Sequence, residues 1–533
     1  MSHSSAHISS NTVRSVQLSG SSGIIIDIEI HLSNGLPHVT VVGMTNKSVD
    51  ESRERIRAAF HSSGLQFPRK RITINLAPAD VQKLGSGFDV AIAAALLHAT
   101  GLVRIPPTSA FFGELGLDGT IRPVRGIIGG ILAARDHGLK KLIIPSDNLL
   151  QAQLVPDVEL VPVRSLRELH GWLASNEQQT ALHTGNGVYD RPDGMQVADI
   201  DIADVVGQER AKRALLLAAA GGHNVLLNGS PGMGKSMLAR TLPGLLPALH
   251  HEEALQITHL HSLGSADAVR VQYARPFRAP HHSASDSSLI GGGAQPRPGE
   301  ISLASGGVLF LDELPEFRRS AIEALRQPLE DRTITIARAR SQVTFPADFI
   351  LAATRNPCPC GYFGTANPAS PGGGNTCTCT AAQIQHYNKK LSGPIMDRID
   401  LHVTVDPVNH QTLLTTTKAS HSSTLRRLVE RARSIQHTRY ATEAAATHAT
   451  TPLLNAATSS AQIKKYALLT PDAITLLNKA AQKLGLSPRV YMKTIKIART
   501  IADLDANTTT EAVHIAEALQ YRPIPLVFQG SIC

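Results

Sequence analysis

The sequence has few cysteines, few aromatic residues and no long hydrophobic run. Only five of its 533 residues are cysteine and one is tryptophan. So few cysteines exclude a scaffold built on disulfides. Its longest apolar runs, such as residues 90–97, are too short to cross a bilayer. The polar start also lacks the basic and then apolar layout of a signal peptide. We therefore expect a cytoplasmic protein that does not act in a membrane.

The length and the charge of the chain set broad limits on its function. A chain of 533 residues is too long for one hydrophobic core and predicts about three domains. With 42% hydrophobic and 18% charged residues, it has the composition of a globular protein. The formal net charge of +9 favours an acidic partner such as nucleic acid, although many basic proteins bind none.

Residues 229–236 read GSPGMGKS and match the G-x-x-x-x-G-K-[ST] pattern of the phosphate-binding P-loop. An apolar strand pattern precedes them at 224–228, and a helical pattern follows at 237–242. This context disfavours the alternative of a chance glycine-rich turn. The loop N–H groups would surround a polyphosphate at the helix N-terminus, with Lys235 on the β- and γ-phosphates. The predicted ATP-binding residues are Gly229, Ser230, Pro231, Gly232, Met233, Gly234, Lys235 and Ser236.

A pair of carboxylates follows a second apolar strand pattern. Residues 308–311 are apolar and lead directly to Asp312 and Glu313. Ligands of open α/β sheets bind where the strands end. We expect Asp312 and the Ser236 hydroxyl to hold Mg²⁺, and Glu313 to polarise the attacking water. Together with Lys235, these residues predict a hydrolase rather than a protein that only binds nucleotide.

Four of the five cysteines lie within 22 residues, as C-x-C-x16-C-x-C: Cys358, Cys360, Cys377 and Cys379. Four thiolates can hold Zn²⁺ tetrahedrally. Disulfides are the poorer explanation in a reducing compartment. The pattern therefore favours a structural zinc site, with free thiols as the alternative. A metal here would fix a loop beside Asn356.

The first and last parts of the chain differ in their periodicity. Residues 13–173 alternate strand patterns, as at 24–30 and 141–145, with helical patterns, as at 49–60. We expect a first domain over 1–182 and a polar, glycine- and proline-rich linker over 183–199.

From residue 425 onward helical patterns dominate, at 425–433, 471–481 and 490–502. They predict a helical domain over 421–525. The alanine- and threonine-rich stretch at 441–461 has no clear period and predicts a loop or a poorly ordered segment.

Three further stretches carry a family resemblance: ESRERIR at 51–57, RITINLAPAD at 71–80 and FGELGLDG at 112–119. With the P-loop and the acidic pair, they resemble the ComM/YifB family of magnesium-chelatase-like AAA+ ATPases over nearly the whole chain. The resemblance implies an α/β fold with an AAA+ core over 200–406. It also implies an N-terminal Lon-protease-like α+β domain and a C-terminal helical lid. The implied function is that of a hexameric, Mg²⁺-dependent ATPase that drives branch migration of DNA during natural transformation.

The resemblance assigns roles to three more residues. Asn356 would end the sensor-1 strand and face the γ-phosphate, the alternative being a turn residue. Arg398 would be an arginine finger for a neighbouring subunit, or else a surface residue paired with Asp397 or Asp400. Arg489 would reach over the nucleotide from the lid. These roles make the predicted active site one that two subunits share.

The same resemblance suggests which segments line the pore of the ring. They are the insert at 273–282 and a predicted hairpin at 333–345. Phe277 would stack on bases, and basic side chains would contact the phosphate backbone, the alternative being solvated loops. Those side chains are Arg275, Arg278, His281, His282, Arg338 and Arg340.

A Lon-like domain raises the possibility of a Ser/Lys peptidase. The family alignment places Gly87 at the nucleophile, one residue from Ser86, and Gly130 at the lysine. A serine without its activating amine is a weak nucleophile. We therefore expect no proteolysis. The alternatives to a DNA motor are an ATP-dependent protease, a chelatase or remodelling ATPase that acts on a protein partner, and a scaffold that only binds nucleotide.

Overall fold

A computed structural model describes residues 12–19, 22–43, 47–81, 83, 85–175, 183–185, 200–264, 270–293, 296–338, 341–364, 377–408, 420–447 and 453–523. The chain forms two compact units. The first unit takes residues up to 191 together with 250–273 and 337–344, and the second takes the remainder.

The first unit is built on two four-stranded sheets. The strands are β1 (Thr12–Ser19), β2 (Ser22–Ser33), β3 (His38–Val42), β4 (Arg71–Ala77), β5 (Ser109–Phe111), β6 (Glu114–Leu115), β7 (Ile121–Arg122), β8 (Lys141–Pro145), β9 (Val158–Val163) and β10 (His183–Gly185). The helices are α1 (Lys47–Ser62), α2 (Asp89–Ala99), α3 (Ile127–Asp136), α4 (Leu149–Ala152) and α5 (Leu166–Ala174). One sheet has the order β1-β2-β4-β3 and the other β10-β9-β8-β5, while β6 and β7 form a separate ribbon.

Hydrophobic periodicity explains these elements. In β4, Ile72, Ile74 and Leu76 alternate toward the core and are at most 2% exposed. Helix α2 is apolar on all sides, and residues 89–97 of it are buried. The strands predicted at 24–30 and 141–145 and the helix predicted at 49–60 are confirmed.

Part of the predicted linker is strand. His183–Gly185 pairs antiparallel with β9, with Gly185 opposite Val158. A β-carbon on Gly185 would lie 2.0 Å from the Val155 carbonyl oxygen, so only glycine fits at this position. The prediction of a linker is therefore wrong for 183–185, and residues 186–199 lie outside the described residues.

The middle of the chain carries the ATPase core. Its strands are β11 (Val225–Asn228), β12 (Phe277–Arg278), β13 (Gly291–Gly292), β14 (Arg297–Pro298), β15 (Val308–Leu311), β16 (Thr333–Arg338), β17 (Ser341–Pro346), β18 (Ile350–Arg355) and β19 (Leu401–Thr404). Its helices are α6 (Glu209–Gly221), α7 (Lys235–Leu245), α8 (His251–Gly264), α9 (Asp286–Ile290), α10 (Glu300–Leu303), α11 (Arg319–Ala324), α12 (Arg326–Asp331), α13 (Ala381–Lys389) and α14 (Gly393–Met396). Helix α8 belongs to the first unit.

Five parallel strands form the central sheet of the second unit, in the order β12-β15-β18-β11-β19. All four residues of β15 are buried, as its continuous apolar run predicts for a parallel strand. The loops after β11, β15 and β18 leave the same edge of this sheet. Strands β16 and β17 form the predicted hairpin, whose residues 339 and 340 lie outside the described part.

The helices α15 (Ser422–Thr447), α16 (Ser460–Tyr466), α17 (Pro471–Leu484), α18 (Pro488–Leu504) and α19 (Ala512–Ala518) complete the second unit. Val429, Ala432 and Ile501 share one hydrophobic cluster with the sheet residues Val225 and Leu401. The predicted fold class is thus confirmed: an α/β AAA+ core with an N-terminal α+β part and a C-terminal helical part. Among the described residues, no helix has both the length and the apolar character needed to cross a membrane.

The prediction for residues 441–461 is wrong for most of the described residues in this stretch. Helix α15 continues to Thr447, and α16 begins at Ser460. Alanine is the strongest helix former, and the stretch 441–447 contains neither glycine nor proline. Helix propensity therefore extends α15 where no apolar period was visible. Residues 448–452 lie outside the described residues.

Candidate ATP-hydrolysis site

The P-loop joins the end of β11 to the start of α7. Gly232 and Gly234 both have a φ of +79°, a backbone conformation that favours glycine. Gly234 directly precedes α7, so the free N–H groups of the first helical turn face the loop. The buried Ser230 hydroxyl has no hydrogen-bond partner among the described residues. A cradle with unpaired donors at a helix N-terminus fits a polyphosphate.

Lys235 is already held inside this loop. Its side chain is buried, and Nζ donates to the carbonyl oxygens of Gly229 and Ser230, both at 2.7 Å, and to Asn356 Oδ1 at 3.0 Å. Burial lowers the pKa of Lys235, while Asp312 and Glu313 act in the opposite direction. The ammonium is thus partly desolvated and positioned, which strengthens its attraction for a phosphate.

The predicted Mg²⁺ ligands are in contact with each other. Ser236 Oγ donates to Asp312 Oδ2 at 2.8 Å. The other carboxylate oxygen of Asp312 accepts from Thr354 Oγ1 at 2.5 Å. Thr354 is fully buried near the end of β18, and the sequence analysis did not identify it. Hydroxyl and carboxylate oxygens are the ligands that Mg²⁺ prefers, so Ser236 and Asp312 fit the ion.

Glu313 has an unusual backbone. Its φ of +52° lies in the left-handed region, which a residue with a β-carbon seldom occupies. Its N–H donates to Thr354 Oγ1 at 2.8 Å, and this bond helps to hold the conformation. Backbone strain of this kind, of order 1–3 kcal/mol, concentrates at functional sites. Thr354 therefore positions both predicted acidic residues.

The structure brings together five of the seven predicted catalytic and Mg²⁺-binding positions. Lys235 bonds Asn356, Ser236 bonds Asp312, and Thr354 joins Asp312 to Glu313. These side chains come from the ends of three adjacent strands, as the parallel order predicts.

Arg398 and Arg489 lie together elsewhere in this unit. Arg398 Nη2 contacts Glu330 Oε1 at 2.5 Å, and Arg489 Nη2 contacts the same oxygen at 3.0 Å. Arg398 also donates to the Pro394 carbonyl oxygen at 2.6 Å. In the described part of the chain, neither arginine is hydrogen-bonded or ion-paired to the P-loop. Two cations of the predicted site thus converge on one carboxylate of α12.

Glu330 is the second residue that the sequence analysis missed. It lies 68 positions before Arg398 and 159 before Arg489, so spacing alone gave no signal. The hydrogen bond and charge of Arg398, with the charge of Arg489, lower the pKa of Glu330. The carboxylate therefore stays ionised and keeps both guanidinium groups in one place.

Asp400, two residues after Arg398, fixes this segment to the sheet and to the lid. It accepts from the N–H of Asn224 at 3.3 Å, contacts His223 Nδ1 at 3.3 Å and pairs with Lys493 Nζ at 3.0 Å. Burial acts to raise the pKa of Asp400, but Lys493 and His223 outweigh it and hold the pKa below its usual range. Lys493 lies on α18, one turn after Arg489. One largely buried carboxylate thus connects both arginine-bearing segments to the strand before the P-loop.

The basic side chains of the insert at 273–282 are less available for contact with DNA than its composition suggests. Arg275 is 8% exposed and donates to the carbonyl oxygens of Pro247 at 2.7 Å and Gly306 at 2.8 Å. Arg278 forms two hydrogen bonds of 2.6 Å with Glu300. The prediction of a DNA contact is wrong for Arg275, because a side chain buried on carbonyls cannot reach a phosphate.

The other residues that were predicted to line the pore differ in their surroundings. Phe277 stacks on Phe310 with ring centroids 5.8 Å apart. His281 is exposed and His282 is half-buried. The Arg338 side chain and all of Arg340 lie outside the described residues. For these positions, the DNA contact stays a prediction.

The four cysteines form one compact cluster. Their Sγ atoms all lie within 4.8 Å of one another, with 3.3 Å between Cys358 and Cys360 and 3.6 Å between Cys360 and Cys377. Zn–S bonds of about 2.3 Å at tetrahedral angles place sulfur atoms about 3.8 Å apart. The Tyr362 N–H lowers the pKa of Cys360 to about 6, which favours the thiolate. The cluster can hold Zn²⁺. The loop 365–376 between the pairs lies outside the described residues.

The peptidase positions of the first unit do not form a Ser/Lys pair. Ser86 Oγ donates to a carboxylate oxygen of Glu114. At Gly130, an added β-carbon would lie 2.8 Å from the Phe112 ring, which leaves no room for a lysine. Lys83 is buried and donates to the Pro78 carbonyl oxygen. Among the described residues, no lysine is therefore hydrogen-bonded to Ser86 as an activating amine.

Comparison with known proteins agrees with these features. The magnesium chelatase subunit ChlI model matches residues 201–413, the ChlI subunit model of Mg-chelatase matches 28–148, and the model of the ChlI C-terminal region matches 419–522. Competence protein ComM of Haemophilus influenzae is 40% identical over 510 residues, covering 95% of this chain and 96% of that protein. The chain belongs to the ComM/YifB family.

Two further relatives resemble the whole chain or part of it. The uncharacterized protein YifB of Salmonella typhimurium is 40% identical over 510 residues, which cover 94% of each chain. Lon protease 2 of Bacillus subtilis is 28% identical over 166 residues, 28% of this chain and 30% of the protease. The chain is therefore a magnesium-chelatase-like AAA+ ATPase with partial similarity to Lon.

Proposed function

We propose that this chain is one subunit of a ring-forming, hexameric, Mg²⁺-dependent ATPase that drives branch migration of DNA in natural transformation. The observation that carries the ring is the separation of the hydrolysis residues from Arg398 and Arg489. The P-loop edge of one chain contains Lys235, Asp312, Glu313 and Asn356, but its arginines face Glu330. A site of this kind is completed when a neighbouring subunit supplies the arginines.

In this proposal each residue has a defined task. Lys235 binds the β- and γ-phosphates, and Glu313 orients the water and accepts its proton. Asn356 fixes Lys235 and the attacking water. When bound by Ser236 and Asp312, Mg²⁺ neutralises phosphate charge. Arg398 and Arg489 of the adjacent subunit offset the charge that develops during transfer.

The choice of DNA as the partner rests on the relatives and on charge. The protein from Haemophilus influenzae is named for competence, and the net charge of this chain is +9. The test is the rate of ATP hydrolysis with and without forked or single-stranded DNA. We expect stimulation by DNA, and DNA affinity that falls steeply as salt rises. A rate indifferent to DNA, or a flat salt response, would contradict the proposal.

The alternatives predict different results in the same preparations. An ATP-dependent Lon-like protease would degrade casein only when ATP is present. A chelatase or remodelling ATPase would be stimulated by a protein partner and not by DNA. The contacts of Ser86 and Gly130 do not favour proteolysis, because among the described residues the Ser86 hydroxyl donates to Glu114 and is not paired with a lysine.

We also propose that the four cysteines bind one structural Zn²⁺. Metal analysis of the purified full chain tests this directly. One zinc per chain is expected, and replacing Cys377 by serine should release it. Four titratable thiols in a metal-free native protein would contradict the assignment.

A further inference from the structure

The segment that carries the first cysteine pair is built into the nucleotide site. It starts at Asn356, the residue whose side chain accepts a hydrogen bond from Lys235 at 3.0 Å. Two residues later come Cys358 and then Cys360, and a turn closes at Gly361, whose N–H donates to the Cys358 carbonyl oxygen at 3.0 Å. The two thiols thus lie between two contacts with the P-loop, the second of which is made by Gly361.

Gly361 lies directly against the P-loop. Its φ is +88°, and a β-carbon on it would lie 2.4 Å from Cδ and 2.7 Å from Cγ of Pro231. Pro231 is the third residue of the phosphate-binding loop. The backbone of the turn is therefore packed on the proline ring, with no space for even one methyl group.

The cysteines determine where this turn lies. Cys358 is fully buried, and its sulfur accepts from the Phe363 N–H at 3.3 Å. Cys377 and Cys379 lead into Thr380, which caps α13 through a hydrogen bond from the Gln383 N–H. A metal bound by all four sulfurs would cross-link the turn to the start of a helix. Without it, the sulfur contacts made among the described residues are weak hydrogen bonds.

We propose that the metal at Cys358, Cys360, Cys377 and Cys379 braces the P-loop through the Gly361–Pro231 contact, so that nucleotide affinity depends on metal occupancy. The inference rests on the proposed nucleotide site. The metal takes no part in hydrolysis. It holds residues 356–361 in place, and they in turn hold Pro231 and Lys235 in the conformation that receives phosphate.

The test compares two alanine variants of the full-length protein. Gly364 has a φ of +79°, close to that of Gly361, but no described residue has an atom within 4 Å of its added β-carbon. Both Gly361→Ala and Gly364→Ala thus carry similar backbone strain, and only the first collides with the P-loop. Zinc content and the affinity for a fluorescent ATP analogue are measured for each.

We expect both variants to retain one zinc. Gly361→Ala should bind the analogue about ten- to a hundredfold more weakly, and Gly364→Ala should bind like the unaltered protein. Equal affinities for the two variants would contradict the proposal that Gly361 supports the P-loop through Pro231. If the unaltered zinc-loaded protein bound no analogue at all, the nucleotide site itself would be wrong instead.

A second measurement does not depend on any variant. The purified protein is stripped of metal with a chelator, its fold is checked by circular dichroism, and Zn²⁺ is then restored. The inference predicts a loss of analogue affinity that zinc alone reverses. A folded, metal-free protein with unchanged affinity would contradict it.

Discussion

The two halves of the proposed active site differ in how complete they are within one chain. The P-loop edge is fully assembled: Lys235 contacts Asn356, Ser236 contacts Asp312, and Thr354 joins Asp312 to Glu313. The arginine half consists of Arg398 and Arg489, and both contact Glu330.

In the proposed function, this difference lets one chain bind ATP without hydrolysing it rapidly. The residues that bind phosphate are preorganised by hydrogen bonds within their own subunit. In the proposed function, the arginines that stabilise the transition state are kept together on Glu330 until another chain presents a phosphate. Hydrolysis is then a property of the interface, and removing either half should leave the other intact.

The largest effect is expected from the arginine half. Arg398→Ala should slow hydrolysis by about 10³–10⁵-fold, because it removes the charge that offsets the developing negative charge. The affinity for ATP should change little. Steady-state hydrolysis and nucleotide binding, measured on the same preparation, check both statements. Arg319→Ala, at an exposed position of α11, is the matched control and should hydrolyse normally.

The P-loop half is tested at Glu313. Glu313→Gln keeps the shape of the side chain but removes the base, and should slow hydrolysis by about 10²–10⁴-fold. ATP should still bind, since Lys235 and the loop are unchanged. A normal rate of hydrolysis would remove Glu313 from the mechanism.

Asp400 links the two halves, and its replacement should reduce stability. Asp400→Asn leaves Lys493 without its anion, and the free energy of unfolding should fall by about 2–4 kcal/mol. Because the folded-state pKa is depressed, this stabilisation is present at neutral pH. It disappears only as the pH falls below about 3.9, the usual pKa of aspartate. Thermal melts of both proteins at pH 7 and at acid pH measure it. Equal melting temperatures at pH 7 would contradict the link.

The smallest effect concerns the placement of the arginines. Glu330→Gln should lower kcat by about two- to fivefold and leave KM for ATP unchanged, since a partly exposed ion pair holds the guanidinium groups only weakly. Asp331→Asn, at the next carboxylate of α12, is the control. A changed KM would place Glu330 in the P-loop half instead.

The sequence predicted the P-loop edge well because each of its parts is local. A glycine pattern, an apolar strand and a carboxylate pair are contiguous in the chain, and the parallel sheet brings their ends together. Thr354 was missed because a buried threonine in an apolar strand gives no signal. Glu330 was missed because its partners are distant in the sequence.

Two of the wrong predictions from the sequence have similar physical causes. Arg275 belongs to a basic segment, but composition cannot show that its guanidinium is used by the carbonyl oxygens of Pro247 and Gly306. Helix α15 extends through residues 441–447 because alanine stabilises a helix without any apolar period. Neither the carbonyl contacts of Arg275 nor the helix propensity of alanine can be inferred from the charge pattern or the apolar period of the sequence.

The sharing of the site between subunits is tested most directly by mixing two inactive variants. Arg398→Ala chains keep a complete P-loop edge, and Glu313→Gln chains keep the arginine. In mixed rings, roughly one interface in four joins an intact edge to an intact arginine. We predict that the mixture hydrolyses ATP far faster than either variant alone. A mixture as slow as its two components would contradict an active site shared between neighbouring subunits.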